Sequence, residues 1–393
     1  MMFHFLTSGE SHGPVLTAVL VGLPAEVPVD LDFVNEELAR RQAGYGRGAR
    51  MKIEKDQATI LSGVRFGRTI GSPLTLQIEN HDWVNWRTAM DAKTEPYDEV
   101  ERKSVVRPRP GHADLAGALK YNTKDIRNIL ERSSARETAA RVAAGAVAKL
   151  FLSQFGIEVA SHTVAVGPVA LSESRAVTFD EIQALRSRTD SRLRCVDEAT
   201  EDEMVRIIQQ AAAEGNTVGG CFEVVGKGIV AGLGSHVSWE TRIDGLLARA
   251  VMSIQAVKAV EIGDGIQNAF RFGAQVHDEI LYQNEERRFS RASNRSGGIE
   301  GGMTNGEEIR LRGYLKPIST LKTPLKSVDI SSKTVNEAAF ERSDVSVVPA
   351  AGVVAEAMVA LVLTGCFLEK FGGDSLGETR RNYDGYCDQL RNF

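Results

Sequence analysis

The stretch Arg107 to Lys149, RPRPGHADLAGALKYNTKDIRNILERSSARETAARVAAGAVAK, decides how the rest of this 393-residue chain is read. Its last part, Ala139 to Ala148, is almost wholly Ala, Val and Gly. A helix of that composition has no face for water, and its small side chains let other backbones come close, so it belongs at the centre of the molecule. The groups at its mouth are therefore candidates for a buried site. Pro108 and Pro110 hold the chain extended, Gly111 permits a turn, and His112 follows just before a helix that Asp114 helps to start. A histidine so placed responds to a bound anion near neutral pH, which suits an acid/base catalyst. Further on, Ser134 and Glu137 have the S-x-x-E spacing of a capping box. Free N–H groups there, with Arg132, also suit an anion.

Working outward, the N-terminal segment reads as a strand to Leu6, a turn over Ser8 to Gly13 and a second strand over Val15 to Val21, which puts His12 at a loop tip. The spacing of Leu31, Val34 and Leu38 predicts a helix over Asp32 to Arg41, with Asp30 or Asp32 as N-cap. That helix runs into Gly44-Tyr45-Gly46-Arg47-Gly48-Ala49. A dinucleotide fingerprint needs a strand before it and a helix after it, and here the order is reversed. A mobile loop remains, in which Arg47 and Arg50 either reach an anion or stay solvated. Strands over Thr59 to Val64 and Leu74 to Ile78 continue the sheet, and polar His81 to Arg102, with Trp83 and Trp86, reads as a lid or an oligomer contact.

Beyond the opening stretch, Gly156 to Val169 reads as strand, Asp180 to Arg186 and Glu201 to Glu214 as surface helices, and Arg186 to Arg194 as a solvated segment. Ile243 to Val260 reads as a second apolar helix with Ser253, Gln255 and Lys258 on a polar side. The glycines from Gly297 to Gly306 imply unusual backbone angles or a ligand against the main chain, before a strand at Ile309 to Leu315. Lys316, Ser319 and Thr320 then add a cation and hydroxyl donors, and Arg342 with Asp344 offers either a structural ion pair, the commoner use of such neighbours, or an anion holder beside a proton acceptor. Ala350 to Leu368 is a nearly continuous apolar run, with Glu356 inside it and Pro349 placed as a helix N1 residue, so it reads as a buried helix and not a membrane span.

A 42% hydrophobic and 25% charged composition is that of a folded globular protein. The start of the chain lacks a signal-peptide pattern, and the four scattered cysteines form no C-x-x-C pair, which points to a reducing cytoplasm and to neither metal nor disulfide framework. A net charge of -5 is wrong for a nucleic-acid binder. The basic residues nevertheless cluster, at Arg40 to Lys55 and at Arg102 to Arg109, as a small polyanion in a cleft requires. No P-loop, kinase signature or G-x-S-x-G is present. From the residues alone, this is an enzyme moving protons on a small, multiply anionic molecule.

GESHG at Gly9 to Gly13, RRQAGYGRG at Arg40 to Gly48, RPGHAD at Arg109 to Asp114, RSSARET at Arg132 to Thr138, GGIEGGMTNG at Gly297 to Gly306, KPIST at Lys316 to Thr320 and RSDVSVVPAAGVVAEAM at Arg342 to Met358 resemble chorismate synthase. The motifs run in the family's order over almost the whole chain. One departure is Gly215-Asn216-Thr217, where many members have Gly-Asp-Ser or similar. The resemblance implies a single composite α+β domain over 1–393, a layered β-α-β sandwich with apolar helices between antiparallel sheets, assembled as a homotetramer. It implies anti 1,4-elimination of phosphate from 5-enolpyruvylshikimate 3-phosphate to give chorismate, the last common step of the shikimate pathway, assisted by reduced FMN, with NADPH open as the reductant. By the same resemblance, His12 protonates the leaving phosphate, His112 serves the flavin, and Ser11 with Asp344 relays a proton. Flavin contacts carry over to Arg132, Ser133, Ser134, Gln255, Ala256, Gly301, Lys316, Pro317, Ile318, Ser319, Thr320 and Arg342. Arg41, Arg47, Arg50 and Arg109 fall to the substrate or a nicotinamide phosphate. The competing readings are a non-catalytic flavin or anion-binding module and a phosphate-handling RNA binder.

Overall fold

The structure is a computed structural model that describes residues 3–48, 55–172, 175, 177–188, 190–341 and 343–393. Arg50 and Arg342 therefore lie outside the described residues. At the N-terminus two apolar runs fold back on each other across a turn: β1 (His4–Ser8) pairs antiparallel with β2 (Val15–Val21), His4 opposite Val21 and Ser8 opposite Thr17. Helix α1 (Leu31–Gln42) follows, its first N–H groups capped by the Asp30 carboxylate. Strands β3 (Ala58–Ser62) and β4 (Leu74–Glu79) then complete an antiparallel sheet in the order β1-β2-β4-β3. Leu16, Ala18 and Leu20 on β2 and Leu74, Leu76 and Ile78 on β4 alternate toward the interior and are fully buried.

Helices α2 (Asp114–Tyr121), α3 (Arg127–Ser133) and α4 (Thr138–Ser153) come next. Strands β5 (Glu158–Val166) and β6 (Val169–Ala170), helices α5 (Phe179–Ala184) and α6 (Glu198–Ala213), strand β7 (Gly220–Lys227), helix α7 (Ile243–Met252) and strands β8 (Val257–Ile262) and β9 (Ile309–Leu315) build the other half. The second sheet runs β8-β9-β7-β5-β6, also antiparallel. Helices α8 (Val348–Phe371) and α9 (Leu376–Arg391) close the chain.

Between the sheets lies a helical layer. α4 packs on the first sheet, α8 on the second, and the two helices pack on each other, with α1 and α7 beside them. This is the β-α-β sandwich expected from the sequence. α8 is long and apolar enough to cross a membrane, but most of it is buried inside the molecule. At the tightest point a Cβ placed on Gly145 would lie 2.2 Å from the Cβ of Ala357, so the α4–α8 approach requires glycine there.

Three local expectations are corrected. The apolar run from Ile243 is not one helix to Val260: α7 stops at Met252, and Val257 onward pairs with β9 as an edge strand. An apolar run of this kind fits a buried helix or a buried strand equally well, and the free edge of β9 decides it. Ser134 caps a short 3-10 turn by accepting from the Arg136 N–H, while the Glu137 carboxylate goes to Thr7 and Arg141, so no capping box forms. The segment around Arg186 to Arg194 is not simply solvated, because Arg186 and Arg194 reach a buried ion cluster in the helical layer.

That cluster joins three helices. Glu356 of α8 accepts from Lys149 of α4 at 2.5 Å, from Arg40 of α1 at 2.8 and 2.9 Å, from Ser161 at 2.6 Å and from Arg194 at 3.3 Å. Glu37 of α1 binds Lys149 at 2.5 Å and Arg186 at 2.9 Å. Burial pushes both carboxyls up, but the surrounding cations outweigh it: Lys149 and Arg40 bring Glu37 down to about 2, and Arg40, Lys149 and Arg194 hold Glu356 well below the usual carboxylate range.

Candidate active site

The ends of the helical layer open into one cleft of about 690 Å³. Its walls come from distant parts of the chain: Ser11 and His12 after β1, Arg41 and Arg47 at the end of α1, Trp86, Arg109 and His112, the Ser133–Thr138 turn, Gln255 and Ala256 after α7, Lys316 to Thr320 after β9, and Asp344 to Val354 entering α8. Among the described residues seven Lys and Arg side chains line it against four Asp and Glu, an excess of positive charge in a chain whose net charge is -5.

The hairpin side holds His12. Gly9 at φ 100° makes the turn, where a Cβ would sit 2.3 Å from the Val15 carbonyl oxygen. Asn80 Nδ2 then donates to the carbonyls of Glu10 and Gly13, at 3.1 and 2.7 Å. The Ser11 N–H donates to the Glu131 carbonyl at 2.9 Å, and the Glu131 carboxylate takes the His12 N–H at 2.8 Å and ring Nδ1 at 2.9 Å. Trp86 stacks on the His12 ring with centroids 3.8 Å apart, and Lys103 lies 3.9 Å from the Trp86 ring centroid. The polar excursion after β4 thus covers part of the cleft.

Elsewhere along the cleft the RPGHAD turn winds around Asp114. This fully buried carboxylate accepts from the Arg109 N–H and Nε, both at 2.9 Å, and from His112 Nδ1. Burial pushes Asp114 up, but hydrogen bonds from His112 and Arg109 reverse this and keep it ionised far below the usual range. Arg109 also reaches Thr320 Oγ1 at 3.0 Å, and Lys316 Nζ reaches the Gly111 carbonyl at 2.5 Å and Ser319 Oγ at 2.9 Å, which joins this turn to the KPIST loop. Burial, with Lys258 nearby, lowers the Lys316 ammonium from its ordinary value.

The third wall is an arginine group. Arg41 and Arg136 share Asp56, at 2.6 and 2.5 Å, and both are buried. Burial brings Arg41 down to about 10, with Arg136 and Arg47 adding to the shift and Asp56 opposing it, so it stays cationic at neutral pH. Arg47 lies 3.4 Å from Asp344, and Asp344 also accepts from the Gly48 N–H. The glycine loop expected to be mobile is pinned over its described part, Tyr45 N–H to Arg192 and Val345 N–H to Gly46.

The cleft therefore brings together Ser11, His12, Arg41, Arg47, Arg109, His112, Ser133, Ser134, Gln255, Ala256, Lys316 to Thr320 and Asp344. Two expected residues stand elsewhere. The Arg132 guanidinium holds the Thr7 and Gly9 carbonyls, at 2.8 and 3.0 Å, and so anchors the His12 loop. Gly301 lies in the turn between two short strands at the N-terminal end of α7, where the Gly302 carbonyl takes the Ile243 N–H, and not on the cleft wall of this chain. Arg127, Glu131, Arg136 and Trp86 also line the cleft, and the sequence does not mark them as site residues. Arg136 and Trp86 stood inside segments already noted, while Arg127 and Glu131 look like ordinary helix charges until the hairpin folds over them.

The donor set fits a flavin. Gln255 Oε1 is buried with no hydrogen-bond partner among the described residues, and Ala256 stands at φ 70°, a conformation that costs a residue with a Cβ about 1 kcal/mol and is typical of ligand sites. Ile254, Ala350, Ala351 and Val354 add apolar lining, and Lys316 and Ser319 add donors to the same cleft.

Fold and cleft together define an enzyme that handles a small polyanion by proton transfer within a β-α-β sandwich. The comparisons name the family. The model of the family described as chorismate synthase matches residues 3–368. The chain is 57% identical over 392 residues to the chorismate synthase of Solibacter usitatus (strain Ellin6076) and 56% identical over 396 residues to that of Koribacter versatilis (strain Ellin345), covering all of each. A crystal structure of chorismate synthase superimposes with a TM-score of 0.80 at 41% identity, over 100% of this chain and 99% of that one. The chain belongs to the chorismate synthase family.

Proposed function

We propose that this cleft seats reduced FMN and 5-enolpyruvylshikimate 3-phosphate together, and that His12, His112, Ser11 and Asp344 manage the protons of the elimination. The reaction is the family's: a C–O bond breaks to release phosphate, a C–H bond breaks to release a proton, and the new double bond completes chorismate. The observation that carries the reading is a cationic cleft with two imidazoles, each held at Nδ1 by a buried carboxylate. A module that only binds an anion has no use for such an arrangement.

Gln255, Ala256, Ser133, Ser134 and the Lys316–Thr320 loop are the residues that would hold the flavin. When bound, reduced FMN supplies electron density to the allylic system from which phosphate departs. The chain's own part is electrostatic and protonic. A dianionic phosphate leaves poorly unless it is clamped or protonated, so Arg41, Arg47 and Arg136 stabilise the developing charge and His12 delivers a proton. His112 does the same for the flavin side of the cleft. Asp344, between Arg47 and the Gly48 N–H, receives the proton with Ser11, whose hydroxyl donates to Ser134 at 3.1 Å.

The test is to mix the protein with FMN and the substrate under dithionite. Chorismate absorbance rises only with reduced flavin. If the substrate neither perturbs the flavin spectrum nor turns over, the reading fails. Oxidation of NADPH by the protein with FMN, in the absence of oxygen, separates self-reduction from dependence on another reductase.

The same reading takes the chain as one composite domain, because His12 and Asp344 reach one cleft from opposite ends, and places it in the cytoplasm, with Cys195, Cys221, Cys366 and Cys387 free. A homotetramer is supported by exposed apolar side chains at Phe270, Phe272, Ile280, Phe289 and Phe393. Light scattering of the eluting protein is expected to give four times the 42.7 kDa chain mass, and a monomer would remove this part of the reading.

A further inference from the structure

We propose that Glu131 is a positioning residue for His12, one that takes the Nδ1 proton and so commits Nε2 to the cleft. The inference rests on the reading of the cleft given above and adds to it a determinant of which ring nitrogen meets the leaving phosphate.

Glu131 makes an unusual set of contacts with two consecutive residues. Its carbonyl accepts the Ser11 N–H at 2.9 Å, Oε2 accepts the His12 N–H at 2.8 Å, and Oε1 lies 2.9 Å from His12 Nδ1. The first two contacts suffice to pin the loop. The third serves only the imidazole, and a carboxylate accepts but cannot donate, so the proton between them sits on Nδ1. Nε2 is then the nitrogen left for chemistry. Turning the ring over would replace Nδ1 by a carbon and lose this bond, and the stacked Trp86, 3.8 Å away and inclined by 22°, further restrains the ring plane.

The surroundings keep Glu131 in its accepting form. Its side chain is 3% exposed, and Arg127 lies 3.6 Å from the same Oε1. Burial pushes the Glu131 carboxyl up, but the bonds from His12 and the charge of Arg127 outweigh this and hold it below its ordinary value. Arg127 is in turn bound by Glu341 at 2.9 Å, and Asp82 takes the Trp86 ring N–H at 3.1 Å, so the charged neighbours of the pair are themselves fixed. Asp114 holds His112 through the same nitrogen in the same cleft, so the two proton-exchange points share one design.

Nitrogen-15 spectra of the ligand-free protein at alkaline pH, with His12 assigned by difference from His12→Asn, read the tautomer directly. In the wild type, His12 is expected as the Nδ1–H form. In Glu131→Gln, whose amide donates as well as accepts, the two nitrogens should move toward an exchange average. With reduced FMN and the substrate, kcat of this variant should fall roughly ten- to a hundredfold while KM changes much less, as for a misoriented general acid. Glu131→Asp, which keeps the charge, should recover part of both effects, and it carries the test if the Gln variant does not fold. An unchanged His12 spectrum in folded Glu131→Gln, or an Nε2–H wild type, overturns the proposal even if kcat falls, since the role would then be structural. Absence of turnover in the wild type would instead sink the functional reading, with the tautomer result standing on its own.

Discussion

His12 and His112 both line the cleft, each bonded through Nδ1 to a carboxylate that is almost wholly buried. His12→Ala and His112→Ala are each expected to lower turnover by roughly ten- to a thousandfold with flavin still bound, the effect of a lost general acid. Stopped-flow chorismate formation, with flavin binding followed by fluorescence, checks this, and unchanged turnover in either variant removes that histidine from the mechanism. The motif residues were legible because GESHG and RPGHAD resemble the family's motifs; from the residues alone a loop-tip histidine such as His12 reads as readily as a solvated turn residue. Their carboxylate partners were not legible in the same way. Asp114 was read only as a helix starter, and Glu131 lies in a helix among other charges, distinguished only once the first hairpin is laid across it.

Among the elements, the central helices were the plainest in the sequence and carry the strongest consequence. A chain rich in Ala, Val and Gly announces burial, but which helix it meets is a matter of packing, and here Gly145 meets the backbone and Cβ of Ala357. Gly145→Val would drive a branched side chain into α8, and a loss of about 3 kcal/mol or more is expected from overpacking a backbone contact. Urea unfolding would measure it, and a midpoint equal to the wild type would mean that the helices can separate at no cost. The misread run from Ile243 to Val260 shows the opposite limit. Its apolar content fixed burial, while the choice between helix and strand at Val257 came from the hydrogen-bonding edge of β9, which no local pattern records.

The whole molecule is held together by charges as well as by its apolar layer. Glu37 and Glu356 have folded pKa values depressed below the ordinary 4.5, so they contribute stability that is present above that value and lost as pH falls toward about 2, the value reached by Glu37. Glu356→Gln leaves Arg40, Lys149 and Arg194 without their common partner and is expected to cost about 3–5 kcal/mol at neutral pH. Thermal melts from pH 7 to 2.5 should show the gap to the wild type closing below pH 4.5. A gap that is absent at pH 7, or constant with pH, would show that the cluster is not a source of stability. Arg186 and Arg194 looked like a solvated run, because sequence does not reveal that two carboxylates from α1 and α8 await them.

By itself the sequence determined the apolar central layer, the turns that carry His12 and His112, and a polyanion chemistry concentrated in basic, glycine-rich loops. These are local properties: composition sets burial, and Gly and Pro set the turns. The tertiary structure alone decided which loops meet. Only folding brings Ser11 and His12 into one cleft with Asp344, turns Arg132 toward the hairpin, hands His12 to Glu131 and keeps Gly301 off this chain's cleft wall. The physical reason is that a helix charge or a loop arginine has no preferred partner until two sheets close on the helical layer. Burial then makes an unpaired charge costly, and that cost selects the partner.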